Sequence, residues 1–369
     1  MKTAATELFG IEVPIFAFSH CRDVVVEVSK AGGLGVLGCT YHSPEQLRHE
    51  LDWIERHVGG KPYGIDILLP AAYSRTEAPR ISAADIPERQ SAYLRDYLDR
   101  AGIPRLPEDQ ADELVGAEIS RLNMTPEQTH GLLEVALEYD IALVVNALGA
   151  PSREMVDRLH ERGIKVGGMI GKLQHALRHK EAGVDILIAQ GMEAGGHTGD
   201  ITSMILWPQI VDAVAPLPVL AAGGVGRGRQ VAAALALGAE GVWCGSIWLG
   251  TRESDLTPDM KERLYQAEPE DAIQSRARTG KQCRLLDSKL IQAWNQPDAP
   301  DFLPLPLQTA TVSEAYLRVA RARAHEWLSC PVGQVVGEIR AETSVRQVVY
   351  DMLEEFVSST ERLNRLVEA

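Results

Sequence analysis

The chain of 369 residues carries 37 lysines and arginines against 51 aspartates and glutamates, a formal net charge of −14. Hydrophobic residues make up 45% and charged residues 24%, the balance of an ordinary folded protein, which excludes wholesale disorder. An acidic chain lacks the broad positive field that nucleic acid or an anionic membrane requires, so neither is an expected partner. An anionic ligand would have to be bound locally, by backbone N–H groups.

The five cysteines are widely spaced and form neither a CxxC pair nor a zinc-ligand pattern. The N-terminal sequence has no apolar segment typical of a signal peptide, and no uninterrupted apolar run reaches 18 residues. These features predict a cytoplasmic protein with reduced thiols and no metal centre.

Short apolar, β-branched runs alternate with segments of helical period, the pattern of a parallel sheet covered by helices. Several runs are apolar throughout, as expected for strands that are buried on both faces. The pattern predicts eight strands, at Val13–Phe16, Leu34–Leu37, Tyr63–Leu68, Ala142–Asn146, Lys165–Met169, Ile186–Ala189, Val219–Ala221 and Gly241–Cys244. Because eight strands close a barrel, the expected fold is an α/β (β/α)8 TIM barrel rather than a doubly wound open sheet.

Residues 70–130, between the third and fourth predicted strands, are too many for a simple crossover. Helical periods over Gln90–Ala101 and Asp109–Asn123 predict a helical insertion there. Loops after strand ends face the active site of a barrel, so the insertion is either a lid or a solvated surface elaboration.

The barrel pattern ends near residue 254, and the remainder of the chain is interpreted as helices split by a proline-rich stretch. A last long helix is predicted from Val345 to about Val367. We therefore predict a barrel domain over residues 1–254 and a mainly helical extension over residues 255–369, packed on the barrel.

Two glycine-rich turns come after the seventh and eighth predicted strands, Gly223-Gly224-Val225 and Gly245-Ser246. In a barrel these two turns form the usual phosphate site, where a Cβ would keep backbone N–H groups away from phosphate oxygens. The alternative is that the glycines only make tight turns. Their occurrence at both expected positions favours phosphate binding.

A glycine-rich loop with a histidine comes after the sixth predicted strand, and it reads Gln190-Gly191-Met192-Glu193-Ala194-Gly195-Gly196-His197. An imidazole on this loop has little packing around it and can donate, accept or transfer a proton near neutral pH. His197 is therefore the candidate catalytic residue. Glu193 would either orient His197 or cap the following helix, and Cys21, after the first strand, is a weaker candidate for a nucleophile.

The loop and the turns together resemble the nitronate monooxygenase family, formerly called 2-nitropropane dioxygenase. That family includes FMN-type enoyl-ACP reductases and NADH:quinone reductases. The resemblance rests on the loop above, on Ala221-Ala222-Gly223-Gly224-Val225, on Arg278-Thr279-Gly280 and on Gly333-Gln334-Val335-Val336-Gly337. It covers most of the chain outside the insertion.

The resemblance implies a barrel that holds FMN non-covalently, with the phosphate on the turns at Gly223-Gly224-Val225 and Gly245-Ser246. It also implies contacts to the flavin ring from Ala17, Phe18, Asp66, Gln190, Gly195 and Gly196. Lys172 would stabilise the negative charge of reduced flavin, or else it is a surface lysine that opens the next helix. His197 would lie over the ring, abstracting a substrate proton or hydrogen-bonding the group that receives charge.

Three features depart from the family pattern. Ala-Pro-Met-Ala usually comes after the first strand, where this chain has Phe16-Ala17-Phe18-Ser19. The third strand usually ends in asparagine, where Asp66 stands here, so this acid would have to be protonated or repositioned beside the flavin. The insertion is also longer than the family pattern predicts, and all three departures bear on the choice of substrate.

The leading hypothesis is an FMN-dependent oxidoreductase that uses O2 to convert an alkyl nitronate into a carbonyl compound and nitrite. The alternative keeps the FMN, but NAD(P)H reduces it and an enoyl thioester or quinone is the acceptor. Two non-redox alternatives are a barrel acting on phosphorylated metabolites and a non-catalytic flavin-binding protein. The expected partners are a small-molecule substrate and, for the alternative, NAD(P)H; the oligomeric state stays open, with a homodimer among the choices.

Overall fold

The computed structural model describes residues 1–67, 81–122, 126–147 and 149–368. In this part of the chain, eight parallel strands close into a barrel in chain order. The strands are β1 (Ile15–Ser19), β2 (Leu34–Gly38), β3 (Tyr63–Ile67), β4 (Leu143–Asn146), β5 (Lys165–Ile170), β6 (Ile186–Gln190), β7 (Val219–Ala222) and β8 (Gly241–Cys244). The predicted (β/α)8 barrel is confirmed. Leu68, the predicted end of the third strand, lies outside the described residues.

Helices cover the outside of the barrel and build the rest of the molecule. They are α1 (Ala4–Phe9), α2 (Arg22–Lys30), α3 (Pro44–His57), α4 (Glu88–Arg100), α5 (Ala111–Leu122), α6 (Pro126–Ala136), α7 (Arg153–Glu161), α8 (Leu173–Ala182), α9 (Ser203–Val214), α10 (Gly228–Ala236), α11 (Pro258–Gln266), α12 (Lys289–Gln292), α13 (Leu307–Arg321) and α14 (Val345–Glu368). None of the helices within the described ranges is long and apolar enough to cross a membrane.

The helices predicted in the insertion are found as α4 and α5, and the last predicted helix is α14. Residues 70–80 of the insertion, and Asn123 at a predicted helix end, lie outside the described part of the chain. The C-terminal extension also contains an antiparallel hairpin that the sequence did not predict, β9 (Ala272–Ser275) and β10 (Cys283–Leu286). Strands of four residues are too short to show a reliable period.

Alternation along the strands divides the apolar core into an inner and an outer part. Side chains such as Phe16, Val36 and Ile188 fill the barrel, whereas Ile15, Leu37 and others at alternate positions pack beneath the helices. The N-terminal end of the barrel is closed by α1, whose Phe9 ring meets Phe16 edge-on with centroids 5.5 Å apart. The opposite end, where the strands finish, is left for ligands.

Helix α4 of the insertion shares a third apolar cluster with the hairpin, α12 and α13. Leu94 and Leu98 are buried in this cluster. Arg318 of α13 is also buried, and it donates to the Asp99 carboxylate at 2.6 Å and to the Ile103 carbonyl at 2.5 Å. The helix is therefore part of a packed layer formed with the C-terminal extension, and not a solvated elaboration.

The long helix α14 packs against α10 and α2 on the outside of the barrel. At the start of α10, a Cβ on Gly228 would lie 2.0 Å from the Met352 carbonyl oxygen, so glycine permits the close approach. Glu355 of α14 pairs there with Arg227 at 2.8 Å and with Arg229. The expected packing of this helix on the barrel is thus observed, and the domain boundary at residue 254 stays a prediction.

His179 on α8 is an unusual buried group. It is 1% exposed and packs against Gly168 of β5, where a Cβ would lie 2.1 Å from its Nδ1 atom. Within the described structure, neither ring nitrogen has a hydrogen-bond partner. Burial, together with repulsion from His175, lowers the pKa of His179 to about 4. The native state therefore holds a neutral imidazole at neutral pH.

We predict that His179 destabilises the protein in acid. The unfolded chain binds a proton near pH 6.5 and the native state only near pH 4, so stability is lost as the pH falls through this interval. The loss amounts to about 3 kcal/mol of the free energy of unfolding. Urea unfolding of the wild type and of His179→Leu at a series of pH values measures it. A pH dependence that is unchanged in the variant would contradict the assignment.

Candidate active site

The C-terminal ends of the strands meet at one mouth of the barrel. Counting inward-facing positions from the filled interior places six residues around this mouth: Phe18, Gly38, Asp66, Met169, Gln190 and Trp243. Local sequence patterns do not connect these positions, because register between strands is a property of the closed barrel. The mouth combines aromatic surface with an acid and an amide.

Ala17 and Phe18 lie within β1 rather than after it. Phe18 faces the mouth, stacks on Trp243 with centroids 6.1 Å apart, and meets the ring of His20 edge-on at 5.1 Å. Gly245 lies beside it, since a Cβ there would be 3.8 Å from the Phe18 ring. Ala17 points outward into the core beneath the helices. A ligand in the mouth could therefore touch only its backbone.

Asp66 faces the mouth from β3, between Gly38 of β2 and Val145 of β4 in the strand register. It is 4% exposed, and among the described residues nothing hydrogen-bonds its carboxyl group. Burial raises the pKa of Asp66 to about 8. A raised pKa favours the protonated form of the two outcomes expected from the sequence, and the contact of Asp66 with a flavin stays a prediction.

The two glycine turns offer backbone donors. Gly223 and Gly224 adopt positive φ values of 97° and 71°, which the turn requires and other residues rarely adopt. Within the described structure, the N–H groups of Gly224, Val225 and Ser246 have no acceptor. The Ser246 hydroxyl accepts from Gly333 N at 2.8 Å, which leaves its proton free to donate. The turns therefore suit an anionic group such as a phosphate.

The C-terminal segment 332–335 fits between the loop after β6 and the turn after β7. A Cβ on Gly195 would lie 2.7 Å from the Val332 carbonyl carbon, and one on Gly333 would lie 2.7 Å from the Glu193 carbonyl oxygen. A Cβ on Gly226 would lie 2.5 Å from a Val335 methyl group. Glycine is required at positions 195 and 333 because backbones meet directly there, whereas Gly226 makes room for the Val335 side chain. In the sequence, this C-terminal motif supports the family resemblance but indicates no role of its own.

The hairpin β9–β10 holds the same loop from the other side. Gly196 and Arg284 exchange two backbone hydrogen bonds, of 2.9 and 2.7 Å. The buried Arg284 side chain donates to the carbonyl oxygens of Met192 at 3.0 Å and Ala272 at 2.5 Å. Arg284 was missed because nothing in its local sequence distinguishes it from a surface arginine.

Glu193 caps helix α9. Its carboxylate accepts from Ser203 N at 3.1 Å and from Ser203 Oγ at 2.9 Å. An acid at a helix N-terminus satisfies free N–H groups and complements the helix dipole. Of the two roles expected for Glu193, the structure shows the cap and no contact with His197.

His197 lies on the rim of the mouth with part of its ring exposed. Its Nε2 is 2.9 Å from the Thr279 hydroxyl, which also lies 3.2 Å from the Lys281 carbonyl oxygen. When the hydroxyl donates to that carbonyl, His197 donates through Nε2–H and keeps Nδ1 open as an acceptor. Partial burial, together with the charges of Lys281 and Arg278, lowers the pKa of His197. The imidazole is therefore neutral at pH 7.

Arg278 and Lys281 bring uncompensated positive charge to this rim. Arg278 is half-buried and lies over the Tyr316 ring, 5.0 Å from its centroid. In the described part of the chain, neither cation pairs with a carboxylate. In the sequence, Arg278 and Thr279 contribute to the family resemblance but indicate no role at the site. The hairpin that carries them to His197 was not predicted.

The two remaining candidates differ in position. Lys172 is exposed at the start of α8, and its side chain makes no capping hydrogen bond. This is the behaviour expected of a surface lysine. Its contact with a flavin stays a prediction. The Cys21 thiol donates to the Glu253 carbonyl oxygen at 3.0 Å, and burial raises its pKa. A nucleophilic thiolate is therefore not favoured there.

Comparison with known proteins gives consistent similarities. A family model described as nitronate monooxygenase matches residues 2–355. The chain is 48% identical over 378 residues to the Mycobacterium tuberculosis protein named "Putative monooxygenase Rv1533", with 100% of both chains covered. The solved nitroalkane oxidase from Streptomyces ansochromogenes is similar at a TM-score of 0.77 and 26% identity, covering 98% of this chain and 100% of that one. For FabK from Thermotoga maritima the TM-score is 0.74 at 27% identity, covering 99% of each chain.

We predict that Gly333→Ala disrupts the mouth, because its methyl group would press on the Glu193 carbonyl. The expected loss in the free energy of unfolding is about 1 to 3 kcal/mol, as for other overpacked sites. The matched control is Gly116→Ala in α5, where a Cβ meets nothing within 4 Å. That control should be neutral or stabilising by up to about 1 kcal/mol. Equal stability of the two variants in urea unfolding would refute the close-packing argument.

Proposed function

The chain belongs to the nitronate monooxygenase family of flavin-dependent oxidoreductases, and we propose that it binds FMN and oxidises alkyl nitronates with O2. The family assignment confirms the resemblance drawn from the glycine-rich loop, and it makes the two non-redox alternatives wrong. The observation that carries the proposal is the neutral His197 beside the unpaired cations Arg278 and Lys281 at the barrel mouth.

The residues of the mouth fit FMN. The N–H groups of Gly224, Val225 and Ser246 would hold the phosphate, because they have no acceptor within the described structure. The flavin ring would meet Phe18 and Gln190, with Gly195 and Gly196 in the adjoining loop, an arrangement that remains a proposal. When bound, the flavin supplies the electron acceptor for oxidation of the substrate.

The cations favour an anionic substrate. A nitronate carries its negative charge over two oxygens, a planar group that matches the fork of an arginine guanidinium. Arg278 stacks on Tyr316 but has no competing carboxylate among the described residues, so its charge is available to such an anion. A quinone or an enoyl group is uncharged and gains less from this pair of cations. The charge of the site thus supports the nitronate reaction over the reductase alternative.

The neutral imidazole of His197 suits a substrate that arrives as the nitroalkane. With Nε2–H held by Thr279, Nδ1 accepts the proton from the carbon next to the nitro group. The imidazolium then donates a hydrogen bond to the nitronate oxygen that receives the charge. Overall, two nitronate anions and one O2 give two carbonyl molecules and two nitrite ions, so no external reductant is consumed.

We predict that the purified protein has the visible spectrum of a bound flavin. Under anaerobic conditions an alkyl nitronate should bleach it, while NADH and NADPH should not, because the nitronate is the electron donor. The visible spectrum measures flavin binding and its reduction, and the nitrite released in air measures oxidation of the nitronate. A purified protein that neither contains nor binds FMN would contradict the proposal. Bleaching of the flavin by NAD(P)H would establish the reductase alternative.

His197→Ala serves as the matched control for that experiment. It should keep the flavin spectrum and lose roughly 10² to 10⁴ in kcat/KM with a nitroalkane. Its loss with a preformed nitronate should be smaller, since no proton then has to be removed. Equal turnover of variant and wild type on both substrates would exclude a role for His197.

We also predict that Arg278→Met raises KM for a nitronate. Loss of a hydrogen bond to a charged group corresponds to roughly 1.5 to 3 kcal/mol, or about 10- to 100-fold in kcat/KM. Arg321→Met, which removes an exposed arginine in the last turn of α13, is the control for net charge. Steady-state kinetics with a nitronate provide the measurement. A shift of similar size in both variants would show a general charge effect instead of a binding site.

A further inference from the structure

Asp66 is a buried acid that the structure leaves without a partner among the described residues. Its backbone is fixed in the barrel, where the Asp66 carbonyl accepts from Cys39 N at 2.9 Å. Its side chain faces the mouth beside Gly38, which has no side chain, and Val145, which is apolar. A carboxyl group that is 4% exposed and has no hydrogen bond to the described residues favours a ligand that supplies one.

Among the described residues, the surroundings of Asp66 supply no charge that would stabilise a carboxylate. Within the described ranges, the polar and titratable groups on the neighbouring elements are Cys39 after β2, Asn146 on β4, His20 after β1 and His42 after β2. The Cys39 thiol donates to the Leu37 carbonyl at 3.1 Å, and burial raises its pKa well above the usual range, so it is neutral. Asn146 donates to the Gly149 carbonyl at 2.9 Å. Lys172, at the start of α8 after β5, is exposed.

Burial accordingly raises the pKa of Asp66 to about 8, and no charge of the described part of the chain contributes to this shift. A carboxylic acid differs from a carboxylate in carrying both a donor and an acceptor. It presents the same pair of groups as the side-chain amide of asparagine. The uracil-like edge of a flavin offers the complement, an N–H group between two carbonyl oxygens.

We propose that Asp66 keeps its proton in the native protein and binds the flavin ring as a neutral acid, so that its ionisation weakens flavin binding. The acid O–H donates to a flavin carbonyl and the acid C=O accepts from the flavin N–H. Ionisation releases one proton to solvent, removes the donor and sets a negative charge against a carbonyl oxygen. This inference rests on the flavin of the proposed function, and it adds a pH-dependent contact that FMN binding alone does not require.

The first test is flavin affinity as a function of pH. FMN and riboflavin are titrated into flavin-free protein by fluorescence quenching between about pH 6.5 and about pH 9. Riboflavin has the ring without the phosphate, so it isolates the contact to Asp66. Wild-type affinity should fall about tenfold from pH 7 to pH 9, while Asp66→Asn should bind as the wild type does at pH 6.5 and show no such fall. Asp66→Leu should fold but bind more weakly throughout the range.

The second test needs no flavin. A proton held by native Asp66 and lost by the unfolded chain near pH 3.8 stabilises the fold in acid, and this stabilisation disappears as the pH rises through about 8. The unfolding equilibrium constant of flavin-free wild type should therefore rise more than tenfold from pH 6 to pH 8 relative to Asp66→Asn. The carboxylic-acid C=O stretch in the infrared spectrum should be present in the wild type and reduced in both variants.

The outcomes separate this inference from the proposed function. Wild type that binds neither FMN nor riboflavin at any pH would remove the flavin proposal, while the unfolding and infrared tests would still report on Asp66. Flavin binding with the same pH dependence in wild type and Asp66→Asn would overturn the inference and leave the flavin proposal intact. Asp66→Leu affinity equal to that of the wild type would also overturn it.

Discussion

Close packing at three glycines controls the mouth of this barrel. Gly195, Gly226 and Gly333 leave no room for a Cβ, because segment 332–335 lies between the loop after β6 and the turn after β7. Gln334 N then donates to the Glu193 carbonyl at 3.0 Å, and Ser246 accepts from Gly333. A segment more than 130 residues distant along the chain thus fixes the loop that carries His197.

The mouth differs electrostatically from the rest of the protein. The chain has a net charge of −14. The rim of the mouth nevertheless carries Arg278 and Lys281, neither of which pairs with a carboxylate among the described residues. Burial raises the pKa of Asp66 and lowers the pKa of His197, which favours the uncharged form of both groups, so neither is expected to cancel those cations. An anion that approaches the mouth therefore meets positive charge and hydrogen-bond donors, although the molecule as a whole repels it.

The packed layer formed by the insertion and the C-terminal extension explains how Arg278 and Lys281 are placed at the rim. Insertion helix α4, the hairpin and α13 share an apolar core, and the buried Arg318 ties α13 to Asp99. The hairpin is thereby held at the mouth, and its connecting turn places Thr279 against His197. The insertion contributes to the active site through this packing, whether or not its remaining part covers the ligand.

The sequence by itself determined the barrel, the glycine turns and the histidine loop, because each depends on local period or on glycine at fixed positions after a strand. It could not determine which way Ala17 and Phe18 face, since the predicted strand ended at Phe16 and the observed strand continues to Ser19. The tertiary structure alone decided that Thr279 holds His197, that Glu193 caps α9 and that Asp66 is buried at the mouth. These properties depend on contacts and on burial between distant segments, which no local pattern records.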